Sequence, residues 1–453
     1  MMSDKSVLFP KDFVWGAATS SYQIEGGWDA DGKGPSIWDA FCHTPGKIHN
    51  GETGDLACDH YHRFREDVAL MRELGIRSYR FSISWPRVLP QGDGEVNPAG
   101  LAFYSDLVDA LLEAGIQPCV TLYHWDLPLA LHRRGGWLNP ETSRDFGHFA
   151  AVIAKAFDGR VQQYITLNEP QCSTGLGYDT GVHAPGCKAD PLTQAAVAHH
   201  LLLAHGYAVQ ALRENSSGPV QVGIASTGSI LYPSENTPEN RALAYEATFR
   251  PGNRWTFSHS WFLDPAILGH YPTEGLPRPL AEFVASVPQV ELDQICQPLD
   301  FLTANIYSGD ELDAGGNPVP RPTGWPRTAL RWSVSPESLH YGPAFLYQRY
   351  GLPLYISENG QSCNDRVFLD GKVHDPDRID YLQRYLTALH ASLEEGVPVR
   401  GYYHWSLMDN FEWHSGYDDR FGLIFVDYAN GLRRIPKDSF YWYQKLIREN
   451  GWN

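Results

Sequence analysis

Eight short runs of strand-forming residues recur along the chain, and stretches with helical spacing of apolar residues separate most of them. The runs are FVWGAAT, SYRFSIS, QPCVTLYHW, QQYITLNE, QVGIAS, DFLTANIYS, LPLYISEN and RGYYHWSL. Strands that alternate with helices pair in parallel, and eight such units close into a barrel. The sequence therefore predicts an α/β fold, a single (β/α)8 TIM barrel domain over residues 1–453.

Five of the intervening stretches have the apolar spacing of amphipathic helices. They read HRFREDVALMRELGI, NPAGLAFYSDLVDALLEAGI, PETSRDFGHFAAVIAKAF, DPLTQAAVAHHLLLAHGYAVQALREN and DRIDYLQRYLTALHASLEEG. Gly115 is placed to end the second of them at C′. The longest remaining segments each follow a predicted strand, and we expect them to build the mouth of the barrel; they are 26–60, 172–192, 308–342 and 406–436. Residues 308–342, rich in glycine and proline, are expected to form a lid or a long insertion.

The charge balance disfavours some classes of binding partner, and the cysteines indicate the cellular compartment. With 36 Lys and Arg against 53 Asp and Glu, the net charge of −17 argues against binding to nucleic acid or to an anionic membrane surface. No window approaches the roughly 18 apolar residues of a membrane span, and the first residues lack the apolar run of a signal peptide. The seven cysteines include no CxxC pair and are expected to be free thiols. We expect a cytoplasmic protein, and the sequence leaves open whether it is a monomer or a homo-oligomer.

Aromatic residues are frequent and often stand beside polar ones. The chain has 14 Trp, 24 Tyr and 20 Phe, many of them in segments such as YHWDLP, YYHWSLMDNFEW and NRWTFSHSWF. A large core also buries large rings. Tryptophan next to His, Asp, Glu and Asn at strand ends, however, favours a pocket that stacks on sugar rings and hydrogen-bonds to their hydroxyls.

Two of the predicted strands end on a glutamate next to an asparagine. Glu169 follows YITLN, and Glu358 lies in LPLYISENG. In such a barrel the catalytic residues lie at the C-terminal strand ends. Two carboxyl groups there indicate acid/base or nucleophilic catalysis. The alternative is a pair of separate, ion-paired glutamates at the barrel edge. In glycosidic bond cleavage, one carboxyl group would protonate the leaving oxygen, while the other would attack the anomeric carbon or activate water.

The motifs around both glutamates resemble those of the family 1 glycoside hydrolases, the β-glucosidase family. The resemblance covers nearly the whole chain, from FVWGAATSSYQIEG through RFSISWPRVLP, YHWDLP, TLNEP and ISENG to DNFEWHSGYDDRFGLIFVDY and SFYWYQKLI. That family is a retaining (β/α)8 barrel. The resemblance therefore implies Glu169 as acid/base on strand four and Glu358 as nucleophile on strand seven.

Further site residues follow from the same resemblance. Arg80 would keep Glu358 ionised through a charge-assisted hydrogen bond, and Tyr307 could donate to the same carboxylate. Asn168 would contact the sugar 2-hydroxyl, and Asn305 would face the same side of its strand as Tyr307. The other substrate-binding residues implied are Gln23, His124, Trp405, Glu412 and Trp413 for the glycone, Trp332 for the aglycone with Trp325 as a weaker candidate, and Phe421.

Departures from the motifs separate branches of the family. Relatives acting on 6-phosphorylated glycosides have serine in place of Glu412 and a lysine and a tyrosine downstream, where this chain has Asp419 and Phe421. A phosphate would meet two carboxylates there and no cation. The thioglucosidase branch replaces the acid glutamate, which this chain keeps as Glu169. Gln171 stands where tryptophan often follows NEP, and we expect the segment from Gln171 to Gly186 to shape the aglycone side.

No segment predicts a metal or another cofactor. Asp59–Asp67 (DHYHRFRED) contains possible ligands, but no matching cluster occurs elsewhere, and helix capping with a polar surface is the simpler explanation. His199 and His200 point to different faces of a predicted helix and are expected to be structural. No GxGxxG or P-loop pattern precedes a helix in a nucleotide-binding context.

The sequence thus predicts a retaining β-glucosidase that acts on a small-molecule β-glycoside substrate. The predicted reaction releases terminal β-D-glucosyl residues from cellobiose, short cello-oligosaccharides and aryl or alkyl β-glucosides, with some β-galactosidase, β-fucosidase and transglycosylation activity. The alternatives are a non-catalytic sugar-binding barrel and a 6-phospho-β-glucosidase.

Overall fold

The computed structural model describes residues 7–452, and eight parallel strands in it close into a barrel as predicted. Each strand pairs with its neighbours in sequence, and the eighth pairs with the first. The strands are β1 (Val14–Ala18), β2 (Ser78–Ser82), β3 (Gln117–Tyr123), β4 (Gln163–Asn168), β5 (Gln221–Ser226), β6 (Leu302–Asn305), β7 (Leu354–Asn359) and β8 (Val399–Trp405). Each of these strands lies within the corresponding predicted run or starts one residue before it.

A long helix follows every strand and packs on the outside of the barrel. The helices are α1 (His60–Leu74), α2 (Pro98–Glu113), α3 (Glu141–Ala156), α4 (Pro191–Glu214), α5 (Pro238–Phe249), α6 (Ser338–Tyr350), α7 (Pro376–Glu394) and α8 (Asp438–Glu449). The five predicted helices correspond to α1–α4 and α7. Gly115 lies just beyond α2 with φ +77°, a left-handed conformation suited to glycine.

The remaining helices are short and lie mostly in the loops. They span Ser21–Ile24, Ile37–Cys42, Trp85–Val88, Leu129–Arg133, Pro170–Thr174, His259–Leu263, Arg278–Ser286 and Gln289–Ile295. In residues 7–452, no helix combines the length and the apolar character needed to cross a membrane. None of the seven cysteines forms a disulfide in the described chain.

Three two-stranded sheets accompany the barrel. Val7–Leu8 pairs antiparallel with Gly451–Trp452, so the two ends of the described chain meet. Ile424–Asp427 and Arg433–Pro436 form an antiparallel hairpin. Gly309–Leu312 pairs in parallel with Ile230–Pro233. The segment 308–342 is therefore partly regular: it contributes a strand and the start of α6, with an irregular stretch between them.

Candidate active site

Glu169 and Glu358 lie at the C-terminal ends of β4 and β7, two strands that β5 and β6 separate in the barrel, and both line the same cavity of about 440 Å³. Glu169 directly follows β4, and Glu358 is the second-to-last residue of β7. Both are nearly buried, with 6% and 4% of their surface exposed. The structure thus brings together the two carboxyl groups that the sequence singled out.

A register shift precedes each of these glutamates. Along β6 and β7, Ile356 pairs with Ala304 but Glu358 pairs with Asn305, so β7 has one extra residue. Along β4 and β5, a similar shift lies between Ile165 and Asn168. Such bulges redirect the side chain that follows and are frequent beside active sites. Glu169 itself has a left-handed backbone, with φ 45°, where the chain turns from β4 into the helix Pro170–Thr174.

Glu358 is held by one cationic and one neutral donor. Arg80 Nη1, from β2, donates to Oε1 at 2.6 Å, and the Tyr307 hydroxyl donates to Oε2 at 2.6 Å. Burial raises the pKa of Glu358, while the charge of Arg80 and the bonds from Arg80 and Tyr307 oppose that rise. The predicted support of Glu358 by Arg80 and Tyr307 is present as contacts.

Glu169 has only uncharged donors. Asn305 Nδ2 donates to Oε1 at 2.8 Å, and the Cys172 thiol donates to Oε2 at 3.1 Å. Burial, and then the charge of Glu358, raise the pKa of Glu169 to about 7. Burial is the larger of these two causes.

Asn168 connects the two carboxyl groups through a buried network. Its Oδ1 accepts from Arg80 Nη2 at 2.6 Å and from Asn305 Nδ2 at 3.0 Å. Its Nδ2 lies 3.1 Å from Nε2 of His124. Asn305 is oriented in turn by Ser357, whose hydroxyl donates to Asn305 Oδ1 at 2.6 Å. Arg80 and Asn305 therefore each contact Asn168 and one of the two glutamates, which fixes their relative positions.

The predicted glycone residues surround the inner part of the cavity. His124, Trp405, Glu412 and Trp413 all line it, and the His124 ring lies nearly parallel to that of Trp405 with their centroids 5.9 Å apart. Burial and the nearby Asp419 raise the pKa of Glu412 well above its usual range. Glu412 is thus favoured as a neutral acid, which can both donate to and accept from a hydroxyl.

Four predicted residues are almost fully buried behind the cavity wall: Gln23, Arg80, Asn168 and Phe421. Gln23 Nε2 donates to Asn410 Oδ1 and to the Phe411 carbonyl, at 2.9 and 2.8 Å, while its Oε1 accepts from Ser20. Phe421 is 1% exposed, and its ring packs behind Tyr307 and Trp332. The structure therefore places Phe421 as support for the cavity wall rather than as part of it.

The outer part of the cavity carries Trp332, as predicted for an aglycone platform. Its side chain is 38% exposed, and its ring centroid lies 5.1 Å from that of Tyr307. Trp325 does not line the cavity. Its Nε1 instead donates to the Val334 carbonyl at 3.1 Å, within the same loop. Of the two tryptophans, only Trp332 reaches the site.

Gln171 does not shape the aglycone side as expected. It is fully buried, and its Nε2 donates to Ser226 Oγ at 2.7 Å, at the end of β5. The amide finds this partner inside the protein, so the side chain does not enter the cavity. The segment up to Gly186 does line the cavity, through Cys172, Leu176 and His183.

Several cavity residues were not assigned a role from the sequence. Trp125 lines the wall, and its Nε1 donates to the Asn168 carbonyl at 2.8 Å. The outer wall also includes Leu176, His183, Thr227, Arg254 and Phe257. Leu176 and His183 belong to the segment expected to shape the aglycone side, and Thr227 directly follows β5. Arg254 and Phe257 come from a loop without a strand-end signal, so only the assembled barrel brings them to the cavity. Cys172 follows Glu169 by one helical turn, a spacing that could have indicated the contact.

The histidine-rich segments are structural. His60 Nδ1 lies 2.7 Å from Asp67, which Arg434 also contacts at 2.9 Å. Asp59 does not cap α1 with its side chain, contrary to expectation; it contacts His62 instead, at 2.6 Å. His199 and His200 contact different partners, Glu291 and the Trp137 carbonyl. Between residues 7 and 452, no three His, Cys, Asp or Glu side chains are grouped to hold a metal ion.

Comparisons with known proteins agree with this geometry. The family model described as Glycosyl hydrolase family 1 matches residues 5–452. Beta-glucosidase A of Acetivibrio thermocellus is 44% identical, over 98% of this chain and 99% of that protein. The bifunctional beta-D-glucosidase/beta-D-fucosidase of Bifidobacterium breve is 43% identical, over 98% of this chain and 99% of that protein.

Solved structures give the same result. The family 1 β-glucosidase from Thermotoga maritima superposes with a TM-score of 0.89 and 41% identity, over all of both chains. The structure of that enzyme in complex with isofagomine lactam gives a TM-score of 0.88. The fold, the paired glutamates and these likenesses lead to one conclusion: the chain belongs to glycosyl hydrolase family 1.

Proposed function

We propose that this glycoside hydrolase is a retaining β-glucosidase that works by double displacement, with Glu358 as nucleophile and Glu169 as acid/base. The observation that carries the proposal is the contrast between the two carboxyl groups. Glu358 accepts a hydrogen bond from a buried guanidinium, whereas Glu169 has neutral donors and a pKa raised to about 7. One group is thus held as a carboxylate, and the other is available as a proton donor near neutral pH.

In the first step, the Glu358 carboxylate attacks the anomeric carbon while the bond from that carbon to the aglycone oxygen breaks. Glu169 gives its proton to the departing oxygen, so the aglycone leaves as a neutral alcohol or phenol. Arg80 and Tyr307 hold the attacking carboxylate in place and keep it from taking the proton. The product of this step is a glycosyl ester on Glu358 with inverted configuration.

In the second step, Glu169 takes a proton from water, and the resulting hydroxide attacks the anomeric carbon. The ester bond breaks, Glu358 returns as a carboxylate, and the second inversion restores the β configuration. While the ester exists, Glu358 carries no charge, so its contribution to the raised pKa of Glu169 disappears. Glu169 is therefore kept protonated, as the acid, before the ester forms, and is ionised, as the base, while the ester exists.

Sugar recognition is proposed for the inner wall of the cavity. Trp405 offers a ring face to the pyranose, while Glu412, His124 and Trp413 offer polar atoms to its hydroxyls. We assign Asn168 to the 2-hydroxyl and Gln23 to a second hydroxyl, because both end in amides directly behind this wall. Asn305 is assigned to the support of Glu169, and Trp332 to the aglycone.

The proposed substrates are β-D-glucosides with a terminal non-reducing glucosyl residue, including cellobiose, short cello-oligosaccharides and aryl or alkyl β-glucosides. Some activity on β-fucosides is included, since the name of the Bifidobacterium breve relative joins glucosidase and fucosidase activities. Some activity on β-galactosides is included because the amide of Gln23 and the carboxyl group of Glu412 can hydrogen-bond to either configuration at C4. Transglycosylation follows if an alcohol replaces water in the second step. Such substrates place the enzyme in cellulose degradation.

The two alternative functions have less support. A 6-phosphate would meet two carboxyl groups, Glu412 and Asp419, where the relatives acting on 6-phosphorylated glycosides have a serine and a lysine, so it would find no cation there. A non-catalytic sugar-binding barrel would not need two carboxyl groups with opposed environments in one cavity. We further propose that residues 1–453 form one catalytic domain without a cofactor and that the protein is cytoplasmic, where its unpaired thiols would stay reduced.

The proposal is tested by replacing Glu358. Glu358→Ala should abolish turnover of 4-nitrophenyl β-D-glucoside, and azide or formate should partly restore it. With azide the product should be the α-glucosyl azide, because only one inversion remains. Glu169→Ala with azide should instead give the β-glucosyl azide. Wild-type activity in Glu358→Ala would overturn the assignment.

A further inference from the structure

The Cys172 thiol is the one donor to Glu169 that the reaction outlined above does not use. Sγ lies 3.1 Å from Glu169 Oε2, and Cys172 is 8% exposed in the wall of the cavity. Glu169 is the residue just before the helix Pro170–Thr174, and Cys172 lies in the first turn of that helix, from which its thiol reaches back to the carboxyl group.

The hydrogen bonds of Glu169 decide which of its oxygens delivers the proton. Ser357 donates to Asn305 Oδ1, which turns Asn305 Nδ2 toward Glu169 Oε1 at 2.8 Å. Oε1 therefore accepts a hydrogen bond from Asn305 and is not the site of the acidic proton. That proton belongs on Oε2, the oxygen that Cys172 contacts.

Cys172 is suited to act as a donor and not as a nucleophile. Burial, and then the nearby charge of Glu169, raise the pKa of Cys172 well above its usual range, so the sulfur keeps its proton. A thiol is a weak donor that a stronger partner readily displaces. When Oε2 carries the proton, S–H can turn away; when Oε2 is ionised, S–H can bond to it.

We propose that Cys172 is a positioning residue for Glu169, whose thiol directs Oε2 into the cavity and stabilises its ionised form. The inference rests on the acid/base role proposed above for Glu169. It implies opposite effects on the two steps. Stabilising the carboxylate makes Glu169 a stronger acid when the aglycone leaves, and a weaker base when water attacks.

Other groups around Glu169 also influence its protonation, and all are retained when only Cys172 is changed. These groups are Glu358 from β7, Arg80 from β2, Asn305 and Tyr307 from β6 and its extension, and Glu412 from the loop after β8. His124, just after β3, lines the same cavity. A change in the pH profile on replacing Cys172 therefore reports the thiol.

The experiment compares Cys172→Ala and Cys172→Ser with the wild type in full pH profiles. In Cys172→Ala, the basic limb of kcat/KM should move up by about 0.5–1 pH unit, because the ionised form of Glu169 loses a donor. In Cys172→Ser, the hydroxyl keeps a donor, and the limb should stay at or below the wild-type position. Cys172→Val carries the same expectation as Cys172→Ala and replaces it if that variant does not fold.

Two leaving groups separate positioning from general damage. For phenyl β-D-glucoside, which needs the acid, Cys172→Ala should lower kcat/KM on the plateau below the basic limb by about threefold or more. For 2,4-dinitrophenyl β-D-glucoside, whose aglycone needs no proton, kcat follows the second step and should be unchanged or higher. Equal losses with both substrates and an unmoved basic limb would overturn the inference.

Cys58→Ala is the matched control. The Cys58 thiol is also buried and donates at 3.1 Å, but to the Asp409 carbonyl. Its loss should leave the pH profile unchanged, and a shifted profile in this variant would contradict a specific role for Cys172. Failure of the proposed function is distinguishable, since it would appear as a wild-type enzyme that does not hydrolyse either glucoside.

Discussion

Arg80 and Glu358 form a buried ion pair across the barrel, with Arg80 Nη1 2.6 Å from Glu358 Oε1 and side-chain exposures of 1% and 5%. The pair joins β2 to β7, and the second guanidinium nitrogen continues to Asn168 on β4. A charge pair at this depth is costly to break, because the remaining partner is left buried and uncompensated. Replacing Arg80 should therefore change the protonation state of Glu358.

Arg80→Met should lower kcat/KM by about 100-fold or more, since breaking a buried pair costs about 3–5 kcal/mol. The pKa of Glu358 should rise without its cation, so the acid limb of the pH profile should move up. The control is Arg134→Met, which removes an exposed arginine paired with Asp93. It should leave both kcat/KM and the pH of the acid limb near wild type. An unshifted acid limb in Arg80→Met would contradict the proposed support of Glu358.

Glu169→Gln should affect substrates according to their leaving groups. Hydrolysis of phenyl β-D-glucoside should fall by about 10²–10⁴-fold, the usual contribution of general acid catalysis. Formation of the glycosyl-enzyme from 2,4-dinitrophenyl β-D-glucoside should be nearly unaffected, and a burst of phenolate should appear. Pre-steady-state kinetics would show this difference, and equal losses with both substrates would exclude Glu169 as the acid.

The raised pKa of Glu169, about 7, predicts where activity falls at high pH. The acid must be protonated in the first step, so kcat/KM should decline as the pH passes through about 7. Neutralising Glu358 should lower the pKa of Glu169. Carbon-13 NMR of labelled carboxyl groups in Glu358→Gln, with Glu169→Gln to identify the signal, should report that decrease. No decrease would mean that the two groups do not interact.

Lys437 supports the loop that carries Glu412 and Trp413, and its loss should destabilise the protein. Its Nζ is fully buried between Asp365 and Asp409, at 2.5 and 2.6 Å. Lys437→Met should cost about 3–5 kcal/mol in the free energy of unfolding, measured by denaturant.

The control for this prediction is Lys445→Met. Lys445 forms an exposed pair with Glu449 at 4.0 Å, and its replacement should change the free energy of unfolding by less than about 0.5 kcal/mol. Equal effects of the two substitutions would refute the structural role of Lys437.

The sequence predicted a residue's place best where a local pattern, such as a strand run, also determines where that residue lies in the fold. The strand runs ending at Glu169 and Glu358 predicted both the barrel and the side of it on which the carboxyl groups meet. The bulge before Glu358 could not be predicted, because it depends on the register between β6 and β7. The helices α5, α6 and α8 were also not predicted; α6 has Pro343 inside it, which interrupts the helical pattern.

The errors concern side chains whose direction is decided by partners far away in sequence. Gln171 was expected at the aglycone side, but Ser226 on the next strand binds its amide inside the protein. Trp325 and Trp332 are equally aromatic, and only the path of the loop separates the one that reaches the cavity. Cys172 and Glu169 are close in sequence, but the role of their contact depends on Asn305, which is distant in sequence. Asn305 donates a hydrogen bond to Oε1 of Glu169, which leaves Oε2 for the thiol.

Trapping the glycosyl-enzyme intermediate shows directly whether Glu358 is the nucleophile of a retaining reaction. We would incubate the enzyme with 2,4-dinitrophenyl 2-deoxy-2-fluoro-β-D-glucoside and locate the label by mass spectrometry of peptides. We expect one fluoroglucosyl group per chain, on Glu358, with loss of activity in step with labelling. A label on Glu169 or another residue, or continued turnover without a label, would contradict it.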